Sequence, residues 1–427
     1  VSLLQQLAAL EKEGGFSFFP GQTDLLARVA PLNKALIAAD TGTGKTLLAT
    51  ILARLSNANK VLVVAPRGVL AQWEREIGRF WKTTPVYRGI NSKLRRPKGV
   101  WLCYPQELSL GWPRVSSRLR DKFDCVLLDE SHTYSNLETR VTETLEDLNA
   151  PYRYAFSATP VGNVTAELYP VLKWLGLECE SRERLSALLD AKDQGLMDWM
   201  SRHIHALEKV ECNPDCVPCE FTVVRVPLPP AVQSAHLQVD GGYLGFDQVR
   251  IRTSVLRSAC SRPDSNPKLD ALMLELQGCL GRGEQVVVVS ARLSTTQSIA
   301  ERLAASGIPT ARIDSTVPAD NHSIEAASFV EGQASVMLMG IKCAQSYSFS
   351  NCPNLLMASA EFSFTTFWQA VGRVWRVTSP RPVSVKSFVF KDTVEERVLK
   401  TVLHKRQLAH KACGLKYNLK MTTQDIA

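Results

Sequence analysis

The chain has 427 residues, 45% of them hydrophobic and 22% charged, which is the balance of a soluble protein with real cores. At about 100–200 residues per domain, its length predicts two or three domains. No apolar run approaches the roughly 20 residues needed to cross a bilayer, so no membrane-spanning helix is expected; eleven scattered cysteines, an odd number, suit a reducing compartment better than a disulfide framework. The net charge of +8 is mild but unevenly placed: Ile77–Gln106 and Arg397–Gln424 each hold seven bases and no acid. Blocks of that kind attract a polyanion.

The opening "VSLLQQLAALEKEGG" does not start with Met and has no basic lead, so no signal peptide is expected. The first strong element is an apolar strand run at 35–39, followed by a Gly-rich loop and a helix from Thr46. "ADTGTGKT" is a Walker A pattern with Ala39 in place of the first Gly. Gly42 and Gly44 permit the sharp turn. Thr41, Gly42, Thr43 and Gly44 then form a cradle whose N–H groups, with the helix dipole behind them, face an anion. Lys45 supplies a point charge to the β- and γ-phosphates, and the Thr46 hydroxyl joins a magnesium shell.

Further strand runs follow at 60–66, 99–104, 123–130 and 152–160. The third of these ends in "VLLDESH", where Asp129 is placed to hold Mg2+ and Glu130 to polarise the attacking water. Two adjacent carboxylates at a strand end are costly to bury unless cations share the site. A second set of strand runs lies at 284–291, 310–314, 335–340, 354–359 and 383–390. Continuous apolar strands alternating with helices predict an α/β fold with parallel sheets covered on both faces.

The region 176–267 breaks this rhythm and reads as a connecting segment with some helices, one of them around Arg184–Ala191. Within it, "ECNPDCVPCE" places Cys212, Cys216 and Cys219 at C-x3-C-x2-C spacing, with Cys179, His203 or His205 as an outside fourth ligand. Structural zinc asks for four closed ligands. No second CxxC pair exists, so these cysteines read as free thiols in a Pro-rich turn and not as a zinc site. From Thr393 the spacing of Val394, Val398, Leu399, Val402 and Leu403 predicts a helix packed by one face. The expected organisation is 1–175 and 268–392 as two α/β domains, 176–267 between them, and 393–427 as a brace helix with a basic tail.

Taken in order, these stretches resemble superfamily 2 helicases and translocases, and within them the Swi/Snf-type group. "FFPGQ" looks like the adenine-reading element, "ADTGTGKT" is similar to motif I, "VVAPRGVLAQWEREI" to motif Ia, "WLCYPQEL" to motif Ib and "DESH" to the DExH box. "SATPVGNVTAELYPVLKWL" is similar to motif III and its continuation, "PKLDAL" with "VVVVSA" to the start of the second domain and motif IV, and "QAVGRVWR" to motif VI. The resemblance implies two tandem RecA-like domains with ATP and Mg2+ in the cleft between them. It implies that Gln22 reads adenine, that His132, Ser157 and Thr159 couple the nucleotide site to motion, and that Gln369, Arg373 and Arg376 complete catalysis from the second domain. Arg373 and Arg376, three apart in a helix-like segment, are expected on one face, where guanidinium groups suit the charge that builds on the γ-phosphate.

Two departures accompany the match. "GIKCAQSYSFSN" stands where motif V has paired glycines, leaving Lys342, Gln345 and Ser346 as local candidates, and Ser157-Ala158-Thr159 is the form seen in unwinding members. The large insertions of chromatin remodellers are missing, which suggests a compact prokaryotic or viral enzyme in a bacterial or host cytosol, or a nuclear one if eukaryotic.

Parallel-sheet proteins bind ligands at the carboxyl ends of their strands. Arg67 and Gln72 in the first domain, and Ser290, Arg292 and Lys342 in the second, are therefore expected to contact a nucleic-acid backbone, giving sequence-tolerant, salt-sensitive binding. Trp73 and Trp368 read as core or interdomain packing, not as base-stacking platforms. The resulting expectation is an ATP-dependent translocase on duplex DNA. The alternatives are a strand-separating or branch-migrating DNA helicase on forked or branched DNA, with single-stranded DNA a further possible partner, an ATPase switch that remodels a partner, and, as a lesser reading, an RNA-stimulated enzyme.

Overall fold

The computed structural model describes residues 2–90, 95–109, 122–136, 139–161, 165–228, 266–343, 347–359, 363–415 and 420–426. They fall into two compact units, Val1–Asp215 with Lys405–Tyr417, and Cys216–His404 with Asn418–Ala427. No helix among the described residues is long and apolar enough to cross a membrane.

The first unit carries β1 (Lys34–Ala39), β2 (Lys60–Val64), β3 (Val86–Arg88), β4 (Gly99–Cys103), β5 (Cys125–Leu128), β6 (Tyr152–Ser157) and β7 (Ile204–Leu207). They form one sheet in the order β3-β4-β2-β5-β6-β1-β7, and every pairing is parallel. The second unit carries β8 (Cys219–Val226), β9 (Val286–Ser290), β10 (Thr310–Ile313), β11 (Val336–Gly340), β12 (Asn354–Met357), β13 (Val383–Phe390) and β14 (Lys420–Asp425). Their order is β10-β11-β9-β12-β13-β8-β14, again wholly parallel. Central strands such as β2, β5 and β9 are buried along nearly their whole length, because helices cover both faces.

The span 176–267, read as a connector, is corrected by this topology. Its helix Arg182–Asp190 is present, but β7 joins the first sheet beside β1, and β8 joins the second between β13 and β14. The tail departs from expectation in the same way. After the helix Val394–Cys413, residues 420–425 pair with β8 as an edge strand. β14 is exposed throughout, held by backbone pairing and by side-chain contacts to β8 such as Thr422 to Thr222 at 2.8 Å and Lys420 to Glu220 at 3.3 Å, and hydropathy carries no trace of it.

The second unit is pinned by a buried ion pair. Lys268, in the helix Pro267–Gly281, donates to both oxygens of Glu395 at 2.7 and 3.0 Å, and Glu395 also accepts from the Phe390 amide at 3.2 Å. Glu395→Ala leaves the Lys268 ammonium buried without its counter-ion and is expected to cost about 3–5 kcal/mol. Urea unfolding followed by circular dichroism checks this, and Lys268→Met in the same chain should recover much of the loss.

Candidate nucleotide site and nucleic-acid interface

In the first sheet β6 lies between β5 and β1, and the parallel registers Leu128↔Ala155 and Ala38↔Ser157 put the carboxyl ends of all three strands on one rim. The Gly-rich loop, the DESH run and Ser157–Thr159 therefore leave the sheet side by side, although the sequence separates them widely. This rim is where open parallel sheets bind ligands.

The loop between β1 and the helix Lys45–Leu55 is built for an anion. Gly42 and Gly44 adopt φ of 78° and 87°, which other residues take only with strain. Thr43 closes the turn by donating its hydroxyl to the Asp40 carbonyl at 2.7 Å. The N–H groups of Gly42, Gly44, Lys45 and Thr46 have no acceptor among the described residues. Among the described residues Lys45 Nζ hydrogen-bonds only the Ala39 and Asp40 carbonyls, at 3.3 and 3.4 Å. Free amides, a helix N-terminus and an ammonium held on neutral oxygens form the donor set a polyphosphate requires.

Gln22 sits against this loop. Its Nε2 donates to the Thr43 carbonyl at 2.8 Å and its Oε1 accepts from the Phe19 amide at 3.0 Å. The side chain expected to read a base thus braces the loop in the structure. A Cβ at Gly44 would lie 2.6 Å from Gln22 Nε2, so the second glycine is needed for this contact as well as for its φ.

Asp129 is buried at the end of β5. Its Oδ1 accepts from the Glu130 amide at 2.9 Å and its Oδ2 from the Trp73 indole Nε1 at 2.8 Å. Burial, reinforced by the Glu130 charge, pushes its pKa up to about 6, against the lowering pull of Trp73 and Lys45. A carboxylate in that condition is one that a divalent cation would return to full ionisation. Among the described residues no group of three or more His, Cys, Asp or Glu is arranged to hold a metal. Mg2+ commonly takes one or two protein ligands and completes its shell with water and substrate phosphates, and Thr46 with Asp129 fit that mode.

Trp73 makes a contact to Asp129 that sequence reading missed. It faces inward from the helix Leu70–Phe80, fully buried, and orients the Asp129 carboxylate. Trp73→Phe keeps the packing and loses the donor. It is expected to lower kcat/KM about tenfold or more. The ionised carboxylate is lost as pH falls through about 6, so removing a group that holds that pKa down moves the acid limb of kcat/KM to higher pH. A pH–rate profile of both proteins checks the direction.

Glu130 adopts left-handed backbone (φ 48°, ψ 51°), a conformation that costs a non-Gly residue of order 1–3 kcal/mol. His132 Nδ1 lies 3.3 Å from Glu130 Oε2 and 3.1 Å from Ser157 Oγ, and Ser157 Oγ accepts from the Thr159 amide at 3.1 Å. His132, Ser157 and Thr159 therefore form one connected chain running from the acidic pair to the end of β6.

In the second unit the helix Phe364–Val374 carries buried Gln369 and Gly372. Arg373 donates from Nε to the Gln369 carbonyl at 3.1 Å and from Nη1 to the Tyr347 carbonyl at 3.0 Å. The expectation that Arg373 and Arg376 share a helix face is corrected. Trp375 leaves helical geometry (φ −98°, ψ 105°), because its indole donates to the Val217 carbonyl at 2.9 Å and packs edge-on against Trp368 at 6.1 Å. Arg376 thus lies beyond the helix end. Its guanidinium has no hydrogen-bond or ion partner among the described residues, and burial pushes its pKa down to about 10. Trp368 itself is buried inside its own unit, stacked on Phe364.

Arg67 opens the short turn after β2, exposed, with its guanidinium 5.7 Å from the centre of the Tyr104 ring, and Gln72 is partly exposed on the following helix. Ser290 ends β9 level with Gly340 of β11, so Ser290, Arg292 and Lys342 leave one rim together. The Ser290 hydroxyl is engaged locally, accepting from the Arg292 amide at 3.2 Å. Gln345, Ser346 and the Lys342 side chain lie outside the described residues. Of the three cysteines, Cys212 is buried in the helix Lys209–Cys212, Cys216 opens the second unit, and Cys219 begins β8.

Residues 25–185 match the model of the SNF2-related domain, and residues 267–378 match that of the helicase conserved C-terminal domain. Helicase swr1 of Schizosaccharomyces pombe is 24% identical over 48% of this chain and 17% of its own length. The DNA repair and recombination protein RDH54 of Saccharomyces cerevisiae is 21% identical over 91% of this chain and 50% of its own. The chain spans half or less of the length of these two curated relatives. In fold it is similar to the Pyrococcus furiosus Hef helicase domain, with a TM-score of 0.58 at 16% identity, covering 90% of this chain and 99% of that one. With an SNF2-related domain ahead of a helicase C-terminal domain on two tandem RecA-like sheets, the chain belongs to the Swi2/Snf2-type helicase family.

Proposed function

We propose that the chain is a DNA-stimulated ATPase that couples hydrolysis to translocation along duplex DNA. Thr41, Gly42, Thr43, Gly44 and Lys45 bind the ATP phosphates, and Thr46 and Asp129 hold Mg2+, which when bound neutralises phosphate charge. Glu130 takes the proton of the attacking water, held in place by His132. Gln22 orders the loop and contacts adenine through its remaining hydrogen-bonding capacity. Arg373 positions the turn that carries Arg376, and Arg376 meets the charge that develops on the γ-phosphate. Hydrolysis that requires both units makes ATP occupancy control their movement.

The observation that carries this reading is Arg376, a partly buried guanidinium whose Nε is shut from solvent and which has no anion among the described residues, standing just past the helix that holds Gln369 and Arg373. Desolvating a cation without a partner is unfavourable, and an incoming phosphate would relieve it. Arg67, Gln72, Ser290, Arg292 and Lys342 supply backbone contacts to the track. The description of RDH54 as a DNA repair and recombination protein supports DNA as the polymer. A triplex-displacement assay beside a labelled fork tests the mode of action. Translocation predicts ATP-dependent triplex release with the fork left paired. Fork opening without triplex release would favour strand separation, the reading to which Ser157-Ala158-Thr159 lends weight.

A further inference from the structure

The phosphate loop is gripped by residues 207–212, close to the point where the chain first leaves the first unit. β7 ends at Leu207, whose carbonyl accepts from the Asp40 amide at 2.9 Å. Lys209 follows, and its Nζ lies 2.7 Å from Asp40 Oδ2 and 3.1 Å from Thr41 Oγ1, with the Lys209 and Asp40 side chains only 1% and 3% exposed. The other Asp40 oxygen accepts from the Thr41 amide at 2.5 Å, so one carboxylate joins the loop's own turn to Lys209. Cys212 Sγ faces the Thr43 carbonyl at 3.8 Å. Behind, Gly21 abuts the same short helix so closely that a Cβ there would lie 2.1 Å from the Glu211 carbonyl oxygen. Asp40, Thr41 and Thr43 are thus held by residues 207–212. Beyond them stand only Asn213–Asp215 before the second unit begins at Cys216.

We infer that Lys209 is a positioning residue for the phosphate loop, and that through it the loop's geometry depends on the strap Leu207–Asp215 by which the chain passes into the second unit. The strap touches the loop through a buried ion pair and a backbone hydrogen bond. Neither stretches without breaking. A pull on residues 213–215 therefore reaches Asp40 directly, and phosphate held by the loop in turn fixes the strap. The inference rests on the nucleotide-site reading above and adds a residue to it.

The double variant Lys209→Met with Asp40→Asn removes both charges and leaves neither buried alone. Its thermal melt, its affinity for a fluorescent ADP analogue, and its kcat and KM for ATP with and without duplex DNA are measured against the parent. The expected result is a cooperative melt, ADP binding weakened about tenfold and duplex stimulation of kcat reduced about tenfold, the size of effect seen when groups that orient a site are removed. A folded double variant with parental affinity and parental stimulation overturns the role of Lys209. Hydrogen exchange on the parent gives a second test that needs no substitution. The Cys212 and Asn213 amides, bonded to the Glu208 and Lys209 carbonyls at 2.8 and 2.9 Å, should exchange several-fold more slowly with ADP and Mg2+ bound. Unchanged exchange there contradicts the inference. A parent chain that binds no ADP, indistinguishable from Lys45→Ala, overturns the nucleotide-site reading itself, which separates the two failures.

Discussion

Glu130→Gln is expected to bind ATP with parental affinity and to hydrolyse it at least about a hundredfold more slowly, the lower range for loss of a general base. The reason lies in what the side chain is asked to do. Glu130 sits in left-handed backbone beside Asp129, with His132 at 3.3 Å, so the turn sets where its carboxylate stands. Gln keeps that shape and its place beside His132, but it takes no proton from water. Asp129, the phosphate loop and Lys45 remain intact, so ground-state binding survives. Equilibrium binding of ATP with a single-turnover hydrolysis assay separates the two. A variant that binds and cycles normally would show that the base is elsewhere.

The second large effect concerns Arg376. Arg376→Ala is expected to lower kcat about a thousandfold or more, the range observed for arginines that stabilise phosphoryl-transfer transition states, while ADP affinity changes little. Arg376→Lys should recover little, because a point charge does not reproduce a planar fork of donors. Stability supplies an independent readout. The guanidinium is partly buried and has no anion among the described residues, so its removal is expected to leave the unfolding midpoint unchanged or raise it. A structural arginine would behave in the opposite way, losing stability and activity together.

These two residues also mark how far the sequence could be read. Asp129 and Glu130 follow a buried strand, and Lys45 follows a Gly-rich turn, so their positions came directly from apolar runs ending in polar residues. All ten apolar strand runs appear as strands, because central parallel strands must be apolar on both faces. β3, β7, β8 and β14 were missed for the converse reason. β3 has three residues, none of them buried, β7 has four residues and a partly exposed edge, β8 alternates behind a Cys-Pro cluster, and β14 is wholly exposed. None of the four leaves a continuous hydrophobic signature. Arg376 was placed on a helix face because periodicity does not reveal that Trp375 turns away to reach the Val217 carbonyl. Trp73 looked like core and is core, but its indole N–H ends on Asp129, and a hydrogen bond across 56 positions has no local pattern. The Lys209–Asp40 pair was invisible in the same way, since only the folding of β7 beside β1 brings the two together.

The account stands on coupling between nucleotide hydrolysis and a nucleic-acid track, and one measurement addresses that most directly: steady-state ATPase rate with no nucleic acid, with single-stranded DNA, with duplex DNA of increasing length, and with RNA, side by side. The account predicts a low basal rate, the strongest stimulation by duplex DNA, and a rate that rises with duplex length. Turnover that is the same with and without every nucleic acid would contradict it.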